Sequence, residues 1–262
     1  MLTIRRLSFA VVTAVIFPVC VAAQGGRGAG EPPKNLQVLP KESSRQDVLN
    51  VMRTFTAGLG VACEYCHAEA PGAAAGGGGR GGPPLDFALD TKDQKKTARA
   101  MLQMVNDING RYLPQMGRTI GDRNRVWCET CHHGLSKPQT LRAALAGAVE
   151  TKGADSATVL YRDLRTRYYG SAAYDFSERA LPIAADELAR ASQRPAALAM
   201  LKLNLEFYAQ SAVTYQSIAQ LSLQGGDTTG ALDALKKAIA LQPNNPQLQQ
   251  MLQRIGKPLP PQ

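Results

Sequence analysis

Histidine is scarce in this chain of 262 residues: only His67, His132 and His133 occur. Of its 5 cysteines, Cys63, Cys66, Cys128 and Cys131 form two short pairs, and Cys20 lies in the N-terminal apolar run. A disulfide framework is thereby excluded, because loss of that run as a leader leaves no thiol outside the pairs. The chain has 1 tryptophan, and its charge of +9 is scattered, with no basic stripe interleaved with aromatics, which argues against a nucleic-acid-binding surface. The glycine-rich run from Pro71 to Pro84 lacks the G-K-[ST] ending of a phosphate loop and reads as a flexible surface insertion. No βαβ pattern accompanies the C-x-x-C pairs, which argues against a redox dithiol.

What is present begins with an expected export signal over residues 1–23: Arg5 and Arg6, an apolar run from Leu7 to Val21, and a small-residue cleavage site ending at Ala23. The run is short for a membrane span, and Val19 is large for the residue preceding a lipidated Cys20. Residues 24–42, rich in Gly and Pro, read as an extended linker. The positive charge fits either a solvated basic surface or steering toward an acidic redox partner.

The chemistry is concentrated in Cys63-Glu64-Tyr65-Cys66-His67 and its second copy, Cys128-Glu129-Thr130-Cys131-His132. On a helix, C-x-x-C-H sets two thiols and an imidazole on one side, as covalent haem attachment requires. Four such cysteines also suit one tetrahedral zinc, but zinc has no need of a histidine directly after each pair. Both copies are therefore read as c-type haem sites, two covalently bound haems c in all, with His67 and His132 as proximal ligands.

Each motif is preceded by a predicted helix. Ser43 with Gln46 fits a capping box ahead of a stripe through Val48, Met52, Phe55 and Leu59, which breaks at Gly58 and Gly60. Thr91 with Gln94 fits a second box ahead of Ala98, Met101, Leu102, Val105, Ile108 and Tyr112. Met52 can present a thioether to the first haem, although its spacing equally suits a core residue. Met101 and Met104, a turn apart, are candidates for the second haem, as is Met116 from a loop. His133, next to His132, points about 100° away on a helix, so no histidine is free to serve as a sixth ligand. Methionines, a weaker group or nothing must complete the coordination, and Met/His ligation is the pattern of cytochromes c.

These linked segments, Val38-Leu39-Pro40, Val51-Met52-Arg53, Leu59 to His67, Met104 to Asn109, Arg111-Tyr112-Leu113 and Cys128 to Gly134, resemble the cytochrome c subunit of photosynthetic reaction centres. The likeness covers roughly residues 36–140 and is to that subunit's C-terminal, two-haem half. That subunit carries four haems, and here there are two motifs. The resemblance implies electron transfer along a row of haems, with Met52 as sixth ligand of the first. By position it points to Met104 for the second, with Met101 next.

Beyond Pro138, Ala157, Leu160, Tyr161, Leu164 and Tyr168 share one face of a predicted linker helix. From Ala212, Tyr215, Ile218, Ala219, Ala231, Leu235, Ala238 and Pro243 fit the tetratricopeptide pattern of about 34 residues, and Leu181, Ala185, Leu188, Ala197 and Leu201 form a weaker preceding copy. Such an array offers a docking surface or is simply a packing unit.

The expected architecture is mainly α: a dihaem cytochrome c domain with long loops over residues 43–140, linker helices over 141–177 and a tetratricopeptide-like hairpin array over 178–256. The expected function is exported, non-enzymatic carriage of single electrons between periplasmic or membrane-bound redox partners, a reaction centre or a respiratory complex among them. The competing expectation is a haem enzyme or sensor with one open iron.

Overall fold

The computed structural model describes residues 31–73, 82–116 and 125–255. The expected leader and most of the glycine-rich run lie outside the described residues. The fold is mainly helical, as the sequence patterns predict.

Residues 31–39 run without regular structure toward α1 (Arg45–Leu59). The cap of α1 sits one residue later than expected: Ser44 is the N-cap, accepting from Asp47 N–H, while the Asp47 carboxylate accepts from both the backbone and the hydroxyl of Ser44. A carboxylate accepting two bonds outcompetes the Ser43/Gln46 pair, which has no charged acceptor. Gly60 closes α1 in the left-handed region at φ 64°. The first motif then forms the short α2 (Cys63–Cys66).

A two-stranded antiparallel ladder follows, β1 (Ala68–Glu69) on β2 (Leu85–Asp86), pairing Ala68 with Asp86 and Glu69 with Leu85. It closes the base of the glycine-rich insertion, where Ala70 N–H donates to Pro84 O at 2.8 Å. The next helix, α3 (Asp93–Asp107), starts after Lys92, whose side chain makes no cap, so the Thr91/Gln94 box does not form. Past Asp107 the helix widens into a π turn, Ile108–Tyr112, and the expected α-helical register of Tyr112 is lost there. A 3-10 turn follows over Leu113–Met116. The second motif is α4 (Cys128–His132).

The remaining helices are α5 (Leu141–Lys152), α6 (Ala154–Tyr168), α7 (Ala180–Arg190), α8 (Arg194–Phe207), α9 (Ala212–Gln224), α10 (Thr228–Leu241) and α11 (Pro246–Ile255). α7 with α8 and α9 with α10 pack as hairpins. The helices expected as linkers, α5 and α6, instead share one core with α7 and α8, in which Leu145, Ala157, Tyr161, Leu181 and Ala197 are each 0% exposed. A second cluster joins α9, α10 and α11 through Ala219, Leu235, Ala238 and Leu248.

Burial is uneven along the chain. Among the described residues before Leu135, only Gly58, His67 and Lys95 are buried, and none of them is an apolar side chain. The two haem motifs therefore belong to a region that closes around no apolar core of its own, whereas the helical half has a continuous one.

Candidate haem sites

A cavity of 660 Å³ occupies the place where the N-terminal region lacks a core. This is within the range of about 300–1,000 Å³ usual for cofactor pockets. Met52 and Phe55 of α1, the motif residues Cys63, Cys66 and His67, and Phe87 after β2 line it. The structure thus brings Met52, Cys63, Cys66 and His67 to one space. α1 reaches it because its stripe faces inward, and Gly60 turns the chain so that α2 follows at once.

His67 is not helical, contrary to the expectation for the motif: it ends α2 in extended geometry at φ −108° and ψ 138°. Its ring is 8% exposed and meets Phe87 edge-on at 4.9 Å. Its Nδ1 is buried without a hydrogen-bond partner. Burial lowers its pKa, aided by the cations Lys95, Lys92 and Arg99, so the imidazole is neutral at neutral pH, the form that binds a metal.

Four cationic residues also line this cavity, Lys34, Arg45 and, on α3, Lys95 and Arg99. The two on α3 are held by Asp90: Lys95 Nζ at 2.9 Å from Oδ1, and Arg99 in a two-pronged pair at 2.8 and 2.9 Å. Hydrogen bonds from Arg99, Asn35 and Lys95 hold the Asp90 carboxyl well below the usual carboxylate range. Lys95 further donates to Phe87 O and Leu89 O, at 2.9 and 2.7 Å.

The stretch expected as a free linker forms a wall of the same cavity through Leu36, Val38 and Leu39. It is pinned from the side, with Asn35 Nδ2 donating to Ala88 O at 2.6 Å and Gln37 Nε2 to Asp90 Oδ2 at 3.2 Å. Sequence reading missed this wall, the Asp90 cluster and Phe87. Asn35 at φ 60° was the one local sign of a fixed turn.

The second motif lies against the far end of α1. Gly134 N–H donates to Gly58 O at 2.9 Å. His132 has a partner for one ring nitrogen: Nδ1 stands 2.7 Å from Leu135 O, so Nδ1–H donates and Nε2 is left as the metal-binding lone pair. His133 leaves the helix in the left-handed region at φ 49°. Asn109 of the π turn fastens the approach to the motif, exchanging bonds of 2.8 Å with both N–H and C=O of Val126. Met101 and Met104 lie on α3 at 37% and 44% exposure, and Met116 at 59%.

Among the described residues no three His, Cys, Asp or Glu side chains converge as a metal site, so the two cysteine pairs do not meet around one zinc. Burial also raises the thiol pKa of Cys66 and Cys128, opposed by Lys92 at the first and Thr54 at the second. Both sulfurs stand as thiols at neutral pH. The first site fits a large, mostly apolar, covalently held group: two thiols, a neutral buried imidazole and a thioether line one cavity.

This combination defines the class, a c-type cytochrome. Residues 6–222 match the family model described as photosynthetic reaction centre cytochrome C subunit, and the chain belongs to that family. The match extends past α4 into the helical half, further than the resemblance carried by the motifs. Cytochrome c-554 of Chloroflexus aurantiacus is 35% identical over 100 residues, covering 38% of this chain and 20% of that protein. The photosynthetic reaction center cytochrome c subunit of Rubrivivax gelatinosus is 28% identical over 114 residues, covering 38% of this chain and 28% of that protein. The matched stretch thus spans under a third of the length of either relative. No solved structure matches the chain.

Proposed function

We propose that the chain is a dihaem electron carrier, with haem c attached at Cys63/Cys66 and at Cys128/Cys131 and bound by His67 and His132. The observation that carries this reading is the shared cavity: Met52 and His67 line one space beside the two thiols of the first motif. When bound, haem supplies one-electron iron chemistry, and its potential answers to axial ligand, burial and hydrogen bonding. The chain's own residues then have defined tasks. His67 would offer a neutral imidazole and Met52 a thioether, and the wall at Leu36 to Leu39 would shield the group from water. Arg99, paired with Asp90, would offer its remaining N–H groups to acidic groups of the cofactor, while Lys95, whose three N–H groups are taken by Asp90, Phe87 O and Leu89 O, would contribute its charge.

At the second motif, Leu135 O orients the imidazole of His132. Met104 is its proposed distal ligand, with Met101 second. The exposure of both residues supports a competing reading, an iron open on one side that binds peroxide or a small gas. The oxidised spectrum separates the two: two low-spin haems support the carrier, and a high-spin signal supports the open iron.

The proposed setting is the periplasm, reached by export of a cleaved precursor, with redox proteins as partners, a membrane-bound reaction centre or respiratory complex among them. No helix among the described residues is long and apolar enough to cross a membrane. The tetratricopeptide reading of the hairpins is supported by Ala219, Ala231, Leu235 and Ala238, all 0% exposed at the offsets that pattern requires. Whole-protein mass after export from a haem-attaching host tests the central claim. A gain of two haems is expected, and no gain would overturn it.

A further inference from the structure

Resting on the dihaem reading above, we propose that Gly58 and Gly60 are positioning residues that set the second haem site against the helix serving the first. A methyl group at Gly58 would stand 2.8 Å from Cys128 Cβ and 2.9 Å from Glu129 N, closer than real side chains come. One at Gly60 would stand 2.3 Å from Gly134 O, and Gly60 also sits at φ 64°. Between them, Gly134 N–H donates to Gly58 O at 2.9 Å. The second motif is therefore in backbone contact with α1 on both sides of Cys128–His132, a closeness only glycine permits. Six positions earlier on the same helix, Met52 faces the first cavity.

An α-helix is stiff over two turns, so the separation and tilt of the two haem sites are fixed by α1 rather than by the loops between the motifs. Electron passage between haems depends steeply on separation and orientation. The glycines thus bear on function without touching either iron.

The experiment compares matured wild-type protein with Gly58→Ala and with an insertion of two glycines after Gly72, in the chain between the motifs, with Gly110→Ala as control, since a methyl there meets nothing within 4 Å. Whole-protein mass is read first. A wild type without two haems defeats the dihaem reading itself, and with it any inter-haem spacing. With two haems present, redox titration and electron paramagnetic resonance report each haem separately. In Gly58→Ala the second haem's midpoint and the magnetic interaction between the ferric haems are expected to shift, while the first haem's spectrum and midpoint stay as in wild type. Selective loss of the second haem in this variant, with Gly110→Ala intact, supports the same conclusion. Two haems with unchanged midpoints and unchanged interaction overturn it. Where Gly58→Ala does not accumulate, the two-glycine insertion after Gly72 decides: an unchanged magnetic interaction between the haems supports a spacing set by α1, and a changed one overturns it.

Discussion

Leu135→Ala tests whether the helical half supports the second haem. The Leu135 side chain is 8% exposed and belongs to the core shared by α5 to α8, while its carbonyl oxygen accepts from His132 Nδ1 at 2.7 Å. Truncation of a buried leucine costs about 2–5 kcal/mol, and this site at the rim of the core can partly collapse, which places the cost at about 2–3 kcal/mol. Denaturant unfolding followed by helical circular dichroism measures it. The carbonyl itself survives the substitution, but its position is no longer held. A hydrogen bond of this kind contributes about 1 kcal/mol net. If all of it bore on one oxidation state, the second haem's midpoint would move by about 40 mV, an upper bound, with the first haem unmoved. Redox titration of the matured protein reads both midpoints, and Leu135→Met should restore them by refilling the volume. The reasoning is refuted if stability falls by the stated amount while the second midpoint stays at its wild-type value. The helical half would then be energetically separate from the iron.

Met52→Ala should abolish the far-red sulfur-to-iron band of the first haem and lower its midpoint, and the parallel pair Met104→Ala and Met101→Ala should identify which residue serves the second by the same band. Acidification should loosen the cavity wall at residues 31–39. Asp90 has its pKa lowered in the folded state, so its contribution is full above the ordinary carboxylate value of about 4 and declines as pH falls below it toward the folded value. Tryptic cleavage after Lys34 at neutral pH should therefore be faster in Asp90→Asn than in wild type, and unchanged cleavage would count against the Asp90 tether. Asn204 is 0% exposed and donates to Glu178 O at 2.9 Å and to Thr214 Oγ1 at 2.6 Å. Asn204→Ala removes both bonds, with Thr214 Oγ1 keeping its bond to Ser211 Oγ at 2.8 Å, at a cost of about 1–3 kcal/mol, seen as a melting temperature lower by roughly 2–12 °C. An unchanged melt would show that water replaces the amide.

The parts of this structure governed by short, repeated spacing were readable in the sequence. The two C-x-x-C-H copies, the inward stripe carrying Met52 and Phe55, and the shared face of Ala157, Tyr161 and Leu164 follow from helical periods or from the fixed reach of covalent attachment. The helix starts were legible only to within a residue or so, since adjacent serines and nearby acceptors satisfy the same rule and charge decides between them. What escaped was long-range and polar. Asn35 and Gln37 bond partners 53 positions away, and nothing periodic announces such a contact. The place of His67 in extended backbone was also hidden, because a C-x-x-C-H run constrains reach and not the conformation of its last residue. α5 and α6 read as linkers because their apolar faces are narrow, yet those faces are what ties them to α7 and α8.

The wall formed by residues 31–39 has a consequence for where the site begins in the chain. This side of the cavity comes from chain upstream of α1, fastened by side-chain hooks to Ala88 and Asp90. A chain that started at α1 would keep Met52 and His67 and lose the apolar side that Leu36, Val38 and Leu39 provide.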